Sequence, residues 1–130
     1  MIVVDASALL EVILRTRAAP DVERRLFASG QTLHAPHLLD VEVAQVIRRY
    51  AAKGDIDAGR GRAALEDLAD FPLRRYPHDV LLPRVWELRS NLTAYDAVYV
   101  ALAEALGAPL LTRDQRLVAA AGHRARIELV

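Results

Sequence analysis

The first five residues place the tightest limit on the fold. Residues 1–4 read Met-Ile-Val-Val, a continuous apolar run of β-branched character that stops abruptly at Asp5. A strand that alternates apolar and polar residues needs cover on one face only. One that is apolar at every position must be buried on both, as in the centre of a parallel sheet. Parallel strands need crossovers, and the rest of the chain supplies them. Helical spacing, caps and breakers predict helices over 7–14, 20–28, 36–53, 55–70, 80–90, 94–106 and 114–121. Short strands are predicted over 32–35, 73–76, 109–112 and 127–130. Pro20 and Pro36 open helices, whereas Gly54 and Gly107 close them. The first helix can be capped by Ser7, or by Asp5 if that residue does more than end the strand. Leu39, Val43, Val46, Ile47 and Tyr50 form an apolar helical stripe with Glu42 on its margin, and Leu65 and Leu68 are core candidates in the next helix. With short links and no repeats, this order predicts a single α/β domain over residues 1–130, a right-handed parallel sheet with helices on both faces.

Against that scaffold, four acidic residues acquire meaning together. Asp5 and Asp114 follow predicted strands, Asp96 begins a predicted helix, and Glu42 sits inside one. Singly, the three aspartates have ordinary roles as helix caps or first-turn acids. Glu42 is harder to explain, because a carboxylate beside an apolar stripe needs a partner; Arg48 and Arg49 are the nearby candidates. Parallel crossovers can bring all four to one sheet edge, where converging carboxylates repel unless a cation lies between them. An oxygen-only donor set selects Mg²⁺ or Mn²⁺ over zinc. Ser7 and Thr112 are placed to support such a site by hydrogen bonding to its carboxylates.

Other chemistries are excluded or weakened. The absence of cysteine removes disulfides, thiolate metal sites and cysteine nucleophiles, and His34, His37, His78 and His123 show no zinc-enzyme spacing. The 17 basic and 17 acidic residues cancel, so any polyanion must be held locally rather than by a whole-molecule field. Tyr95, Tyr99 and Trp86 lie in apolar helical segments and are expected in the core or at an interface. No basic leader precedes the first apolar run and no stretch is long enough to span a bilayer, which points to a cytoplasmic protein.

Four blocks of sequence then carry a resemblance: Ile-Val-Val-Asp-Ala-Ser-Ala-Leu from residue 2, Pro-His-Leu-Leu-Asp-Val-Glu-Val-Ala-Gln-Val-Ile from 36, Leu-Thr-Ala-Tyr-Asp-Ala-Val-Tyr-Val-Ala-Leu-Ala from 92, and Leu-Leu-Thr-Arg-Asp-Gln-Arg-Leu from 110. Over essentially its whole length the chain resembles the PIN-domain ribonucleases, specifically the VapC-type toxins of VapBC toxin–antitoxin pairs. The resemblance implies a PIN-like α/β/α sandwich in which Asp5, Glu42, Asp96 and Asp114 form the catalytic, metal-binding quartet, with Ser7 and Thr112 as accessory hydroxyls. It further implies Mg²⁺- or Mn²⁺-dependent hydrolysis of RNA by metal-activated water, a cognate VapB-type antitoxin and a homodimer. Arg113, beside Asp114, is the expected RNA phosphate contact. A phosphoaspartate or receiver domain fits poorly, because Asp5-Ala-Ser7 lacks a second acid and Lys53 lies in the wrong region. The competing reading is a noncatalytic PIN-like protein-interaction module whose acids only cap helices.

Overall fold

A computed structural model describes residues 1–130. The chain runs β1 (Ile2–Val4), α1 (Ala6–Ile13), α2 (Ala19–Leu26), β2 (Leu33–Pro36), α3 (Leu38–Lys53), α4 (Ala58–Asp70), β3 (Leu73–Tyr76), a 3-10 turn (Asp79–Leu81), α5 (Leu82–Glu87), α6 (Ala94–Leu106), β4 (Leu110–Thr112), α7 (Gln115–Ala119) and β5 (Ile127–Leu129). The strands form one sheet in the order β3-β2-β1-β4-β5, and every pairing is parallel. β1 is therefore central, and Ile2, Val3 and Val4 are completely buried, as an uninterrupted apolar strand requires.

The topology fixes where a site can form. The chain builds outward on one side of β1 through β2 to β3, then returns to the other side with β4 and β5. Crossovers leaving β1 and β4 diverge at their carboxyl ends and open a crevice, the usual ligand position in open α/β sheets. Two groups of helices cover the sheet: α1 packs with α2, α3 and α4, while α6 packs with α5 and lies against β1, β2 and β4. This is the expected α/β/α sandwich. Every residue of α6 from Ala97 to Ala103 is buried, and small side chains at Ala97, Ala101 and Ala103 let this helix lie close to the sheet. Gly107, at φ +61°, ends it in the left-handed conformation that glycine adopts without steric cost. No helix is long and apolar enough to cross a membrane.

Several local expectations change. Asp5, not Ser7, caps α1: it keeps an extended backbone and accepts a hydrogen bond from the Ala8 amide at 3.0 Å, while Ser7 already lies in the first turn. α4 starts at Ala58 because Asp57 caps it through the Arg60 amide. Leu68 is buried as expected, but Leu65 is exposed, because the inward face of α4 carries Gly61, Ala64 and Leu68. Of the α3 stripe, Leu39, Val43 and Ile47 reach the core, whereas Val46 and Tyr50 remain partly exposed. The predicted helix over 80–90 is shortened to a 3-10 turn followed by α5, which ends at Glu87. Trp86 and Tyr95 point outward, at 67% and 62% exposure, so only Tyr99 of the three aromatic candidates joins the core.

The covers are also tied by charge. Arg84 on α5 forks onto Glu104 of α6, with Nε to Oε2 at 2.8 Å and Nη2 to Oε1 at 3.0 Å, and the Arg124 amide donates to the same carboxylate at 2.8 Å. The Arg84 hydrogen bonds hold the Glu104 carboxyl below its ordinary range. A depressed acid stabilises the fold above its unfolded pKa and loses that contribution as pH falls through the folded value. Glu104→Gln is therefore expected to destabilise the protein by about 1–2 kcal/mol at neutral pH. Denaturant melts of both proteins should converge as pH falls through and below the ordinary carboxylate range.

Candidate active site

The crevice at the carboxyl ends of β1 and β4 is built around Asp5. This residue follows the last apolar position of β1, so its backbone amide continues the sheet by donating to the Leu111 carbonyl. Its carboxylate, at 8% residue exposure, is largely cut off from water. Both oxygens are held. Oδ1 accepts from the Ser7 hydroxyl at 2.6 Å and from the Ala8 amide at 3.0 Å; Oδ2 accepts from the fully buried Thr112 hydroxyl at 2.5 Å. Thr112 ends β4, so this bond joins the two strands that flank the crevice. The Thr112 oxygen also accepts from the Asp114 amide at 3.0 Å, and the Ser7 oxygen accepts from the Arg113 amide at 2.9 Å. The two hydroxyls thus support the carboxylate and shape the loop that carries Asp114.

The other acids arrive from separate elements. α3 contributes Glu42, half-buried, whose Oε1 accepts from the Tyr99 hydroxyl on α6 at 2.5 Å. That contact replaces the arginine partners considered from sequence. Asp96 sits in the first turn of α6, where its amide donates to the Thr93 cap at 3.2 Å. Asp114 caps α7 through the Arg116 amide, and its carboxylate is gripped by the Arg116 guanidinium.

Electrostatics link these acids pairwise. Burial raises the Asp5 carboxyl, the three hydrogen bonds oppose it, and the charge of Asp96 raises it further. Burial likewise raises Glu42, with Tyr99 opposing and with Asp5 and Asp96 adding repulsion. Asp96 is raised by burial, opposed by Thr93, raised by Asp114 and lowered by Arg116. Asp114 alone is held low, chiefly by its hydrogen bond from Arg116. Burial, together with the charge and hydrogen bond of Glu42, keeps the Tyr99 phenol protonated far above its usual range, so it serves Glu42 as a donor. The side chains do not close into a ready-made cage of three or more ligands. Their chemistry nevertheless fits a hard divalent cation: all donors are carboxylate oxygens, three are destabilised as anions, and the repulsion among them is what a cation offsets.

Sequence reasoning passed over two contributors. Tyr99 follows Asp96 by three residues and therefore shares its helix face, a spacing that could have flagged it. Arg116 could have been flagged as the cation two residues after the cap. Arg113, the expected phosphate contact, has neighbours of its own in the fold. Its guanidinium is committed to the Val130 carbonyl at 2.5 Å and to Glu11 at 3.5 Å, so what it lends the site is its backbone amide.

Burial, with the charge of Asp114 added, leaves Asp96 destabilised as an anion, which can be tested. An acid whose folded pKa is raised costs stability as pH rises from its unfolded value through the folded one. Asp96→Asn should therefore melt about 1–4 °C higher than the parent at neutral pH in divalent-free buffer. That advantage should vanish below the ordinary aspartate range. A variant that melts lower at pH 7 would show that Asp96 is not destabilised as an anion.

Known proteins share this arrangement's frame. The family profile described as PIN domain matches residues 2–123. Ribonuclease VapC12 of Mycobacterium tuberculosis is 45% identical over 130 residues, covering 100% of this chain and 99% of the relative. Ribonuclease VapC9 of the same species is 47% identical over 117 residues, covering 90% and 88% of the two chains. Among solved structures, VapBC2 from Rickettsia felis, bound to a DNA fragment from the VapBC2 promoter, has a TM-score of 0.71 at 14% identity, covering 99% of this chain and 98% of that one. The last comparison speaks to the fold alone. Because the family match spans nearly the whole domain and the two ribonucleases align along almost its full length, the chain belongs to the PIN-domain family and, within it, to the VapC ribonucleases.

Proposed function

We propose that this protein is a divalent-metal-dependent endoribonuclease acting as the toxin of a type II toxin–antitoxin pair. The observation that supports the reading is the buried Asp5 carboxylate, held by Ser7 and Thr112 at the ends of β1 and β4, with Glu42 and Asp96 as its repelling neighbours and Asp114 repelling Asp96. Asp5, Asp96 and Asp114 would hold Mg²⁺ or Mn²⁺, with Glu42 binding through water or orienting the nucleophile. When bound, the cation supplies activation of water and neutralisation of charge on the phosphodiester. The chain's own groups do the positioning. Thr112 and Ser7 fix both Asp5 oxygens, and the Tyr99 phenol fixes Glu42. Single-stranded or looped RNA suits the site, because unpaired strands can enter a narrow acidic crevice. Arg49, which carries no ion pair, shares a groove with Ser7 and Glu42 and is available to the RNA backbone.

The same groove suits an antitoxin segment. It has a volume of about 510 Å³ and is walled by Leu10, Leu38, Val41, Val46 and Tyr95 next to Ser7 and Glu42. A VapB-type partner lying there would cover apolar surface and block Glu42 at once. Membership of the chain in the VapC ribonucleases supports this pairing. A homodimer completes the proposal, in keeping with the toxin class.

A noncatalytic module draws on the caps that Asp5 and Asp114 do form. Capping leaves Glu42 unexplained, since it lies within α3, and does not require Asp5 to be buried against Thr112. The cleavage experiment separates these readings. Wild-type protein should cut RNA only with Mg²⁺ or Mn²⁺, leaving 5′-phosphate and 3′-hydroxyl ends because water rather than the 2′-hydroxyl attacks. Asp5→Asn should keep its circular dichroism spectrum and lose at least about 100-fold in rate. Cyclic 2′,3′-phosphate ends, or an undiminished rate in that variant, would overturn the assignment. Mn²⁺ should also raise the melting temperature of the wild type, which a module lacking a cation site would not show.

A further inference from the structure

We propose that Arg116 is a built-in counterion that holds Asp114 in the absence of a divalent cation and transfers to an RNA phosphate when substrate enters, so that cation and RNA favour each other's binding. This inference rests on the ribonuclease reading above.

The geometry of the pair is the starting point. The Arg116 guanidinium makes a planar fork onto Asp114, Nε to Oδ1 at 3.2 Å and Nη2 to Oδ2 at 2.9 Å, and the Arg116 amide adds a third bond to Oδ1 at 2.9 Å. The amide alone is sufficient to cap α7, so the guanidinium is not needed for the helix start. Nothing else holds it in place. The Arg116 side chain is 90% exposed, whereas Arg84, Arg25 and Arg75, which make the sheltered ion pairs of this molecule, are 25%, 30% and 23% exposed. A fork made in open water is worth little and is easily exchanged.

The exchange partner has a place to arrive. Arg116 and Asp96 share a cavity of about 210 Å³ with Asn91, Leu92, Thr93 and Leu117, so a strand entering it would meet the guanidinium beside that acid. A phosphodiester offers the same pair of oxygens that Asp114 now offers, and guanidinium binds both in the same bidentate manner. While Arg116 grips Asp114, the carboxylate is partly neutralised and a metal ion must compete for it. Drawn to a phosphate, Arg116 leaves Asp114 fully anionic beside Asp96, and a divalent cation gains a ligand. Reciprocity requires the cation, by taking Asp114, to release Arg116 for RNA.

Titration of full-length protein with Mn²⁺ alone, followed by calorimetry and thermal shift, provides the first arm. Arg116→Gln should bind Mn²⁺ about threefold to fivefold more tightly than the wild type; equal or weaker binding overturns the proposal. The second arm measures a single-stranded uridine decamer in EDTA by fluorescence anisotropy. Arg116→Gln should bind it more weakly, with the salt slope reduced by about 0.7, and an unchanged slope is contrary. Finally, Asp114→Asn should strengthen decamer binding more in the wild-type background than in Arg116→Gln. Equal gains would reduce the effect to simple loss of a negative charge and refute the exchange. If wild-type protein binds no Mn²⁺ at all, the ribonuclease reading fails and takes this inference with it. Wild-type binding that Arg116→Gln leaves unaltered sinks the exchange alone.

Discussion

A single charge withdrawn from water organises this molecule. Asp5 ends the central strand, caps the first helix and receives the hydroxyl of Thr112 from the neighbouring strand. Burying a carboxylate is costly unless its oxygens are hydrogen-bonded, and here both are. The bonds do not remove the cost completely, because the carboxyl remains raised and feels Asp96 as well. Such residual instability in the folded protein is what a bound cation would relieve under the proposed function.

Charge is distributed unevenly around that centre. Most arginines with partners serve the scaffold: Arg25 fastens Glu128, Arg75 holds Asp40 and the Leu68 carbonyl, and Arg84 links α5 to α6 through Glu104. These pairs explain how a chain with no net charge can be so rich in arginine. Within the crevice the balance is reversed. Asp5, Glu42 and Asp96 lack a strong cationic partner, and only Asp114 has one of its own. Neutral whole-molecule charge thus conceals a local excess of negative charge, which a count of ionisable residues cannot reveal.

The framework was largely legible in the sequence because each strand is a short apolar run bounded by proline, glycine or acid, and parallel topology leaves few ways to arrange them. The placement of Asp5, Asp96 and Asp114 at the ends of elements was legible for the same reason. What was obscure depended on tertiary contact. Tyr99 meets Glu42 only because α6 and α3 approach one another across a separation of 57 residues. Arg113 loses its guanidinium to Val130 because β5 lies alongside β4. Trp86 faces solvent because the short α5 rests on Val85 and Leu88, a choice that an apolar segment of that length does not announce.

The bond between Asp5 and Thr112 spans 107 positions of the chain, and β4, though late in sequence, is an interior strand. During synthesis on the ribosome, residues up to β3 can pair β1 with β2 and β2 with β3 but leave one flank of β1 bare. Asp5 then lacks the Thr112 hydroxyl, and Asp114 has not yet been made. Until the β4 segment has emerged, the nascent chain therefore has neither the hydroxyl that holds Asp5 Oδ2 nor the acid that caps α7.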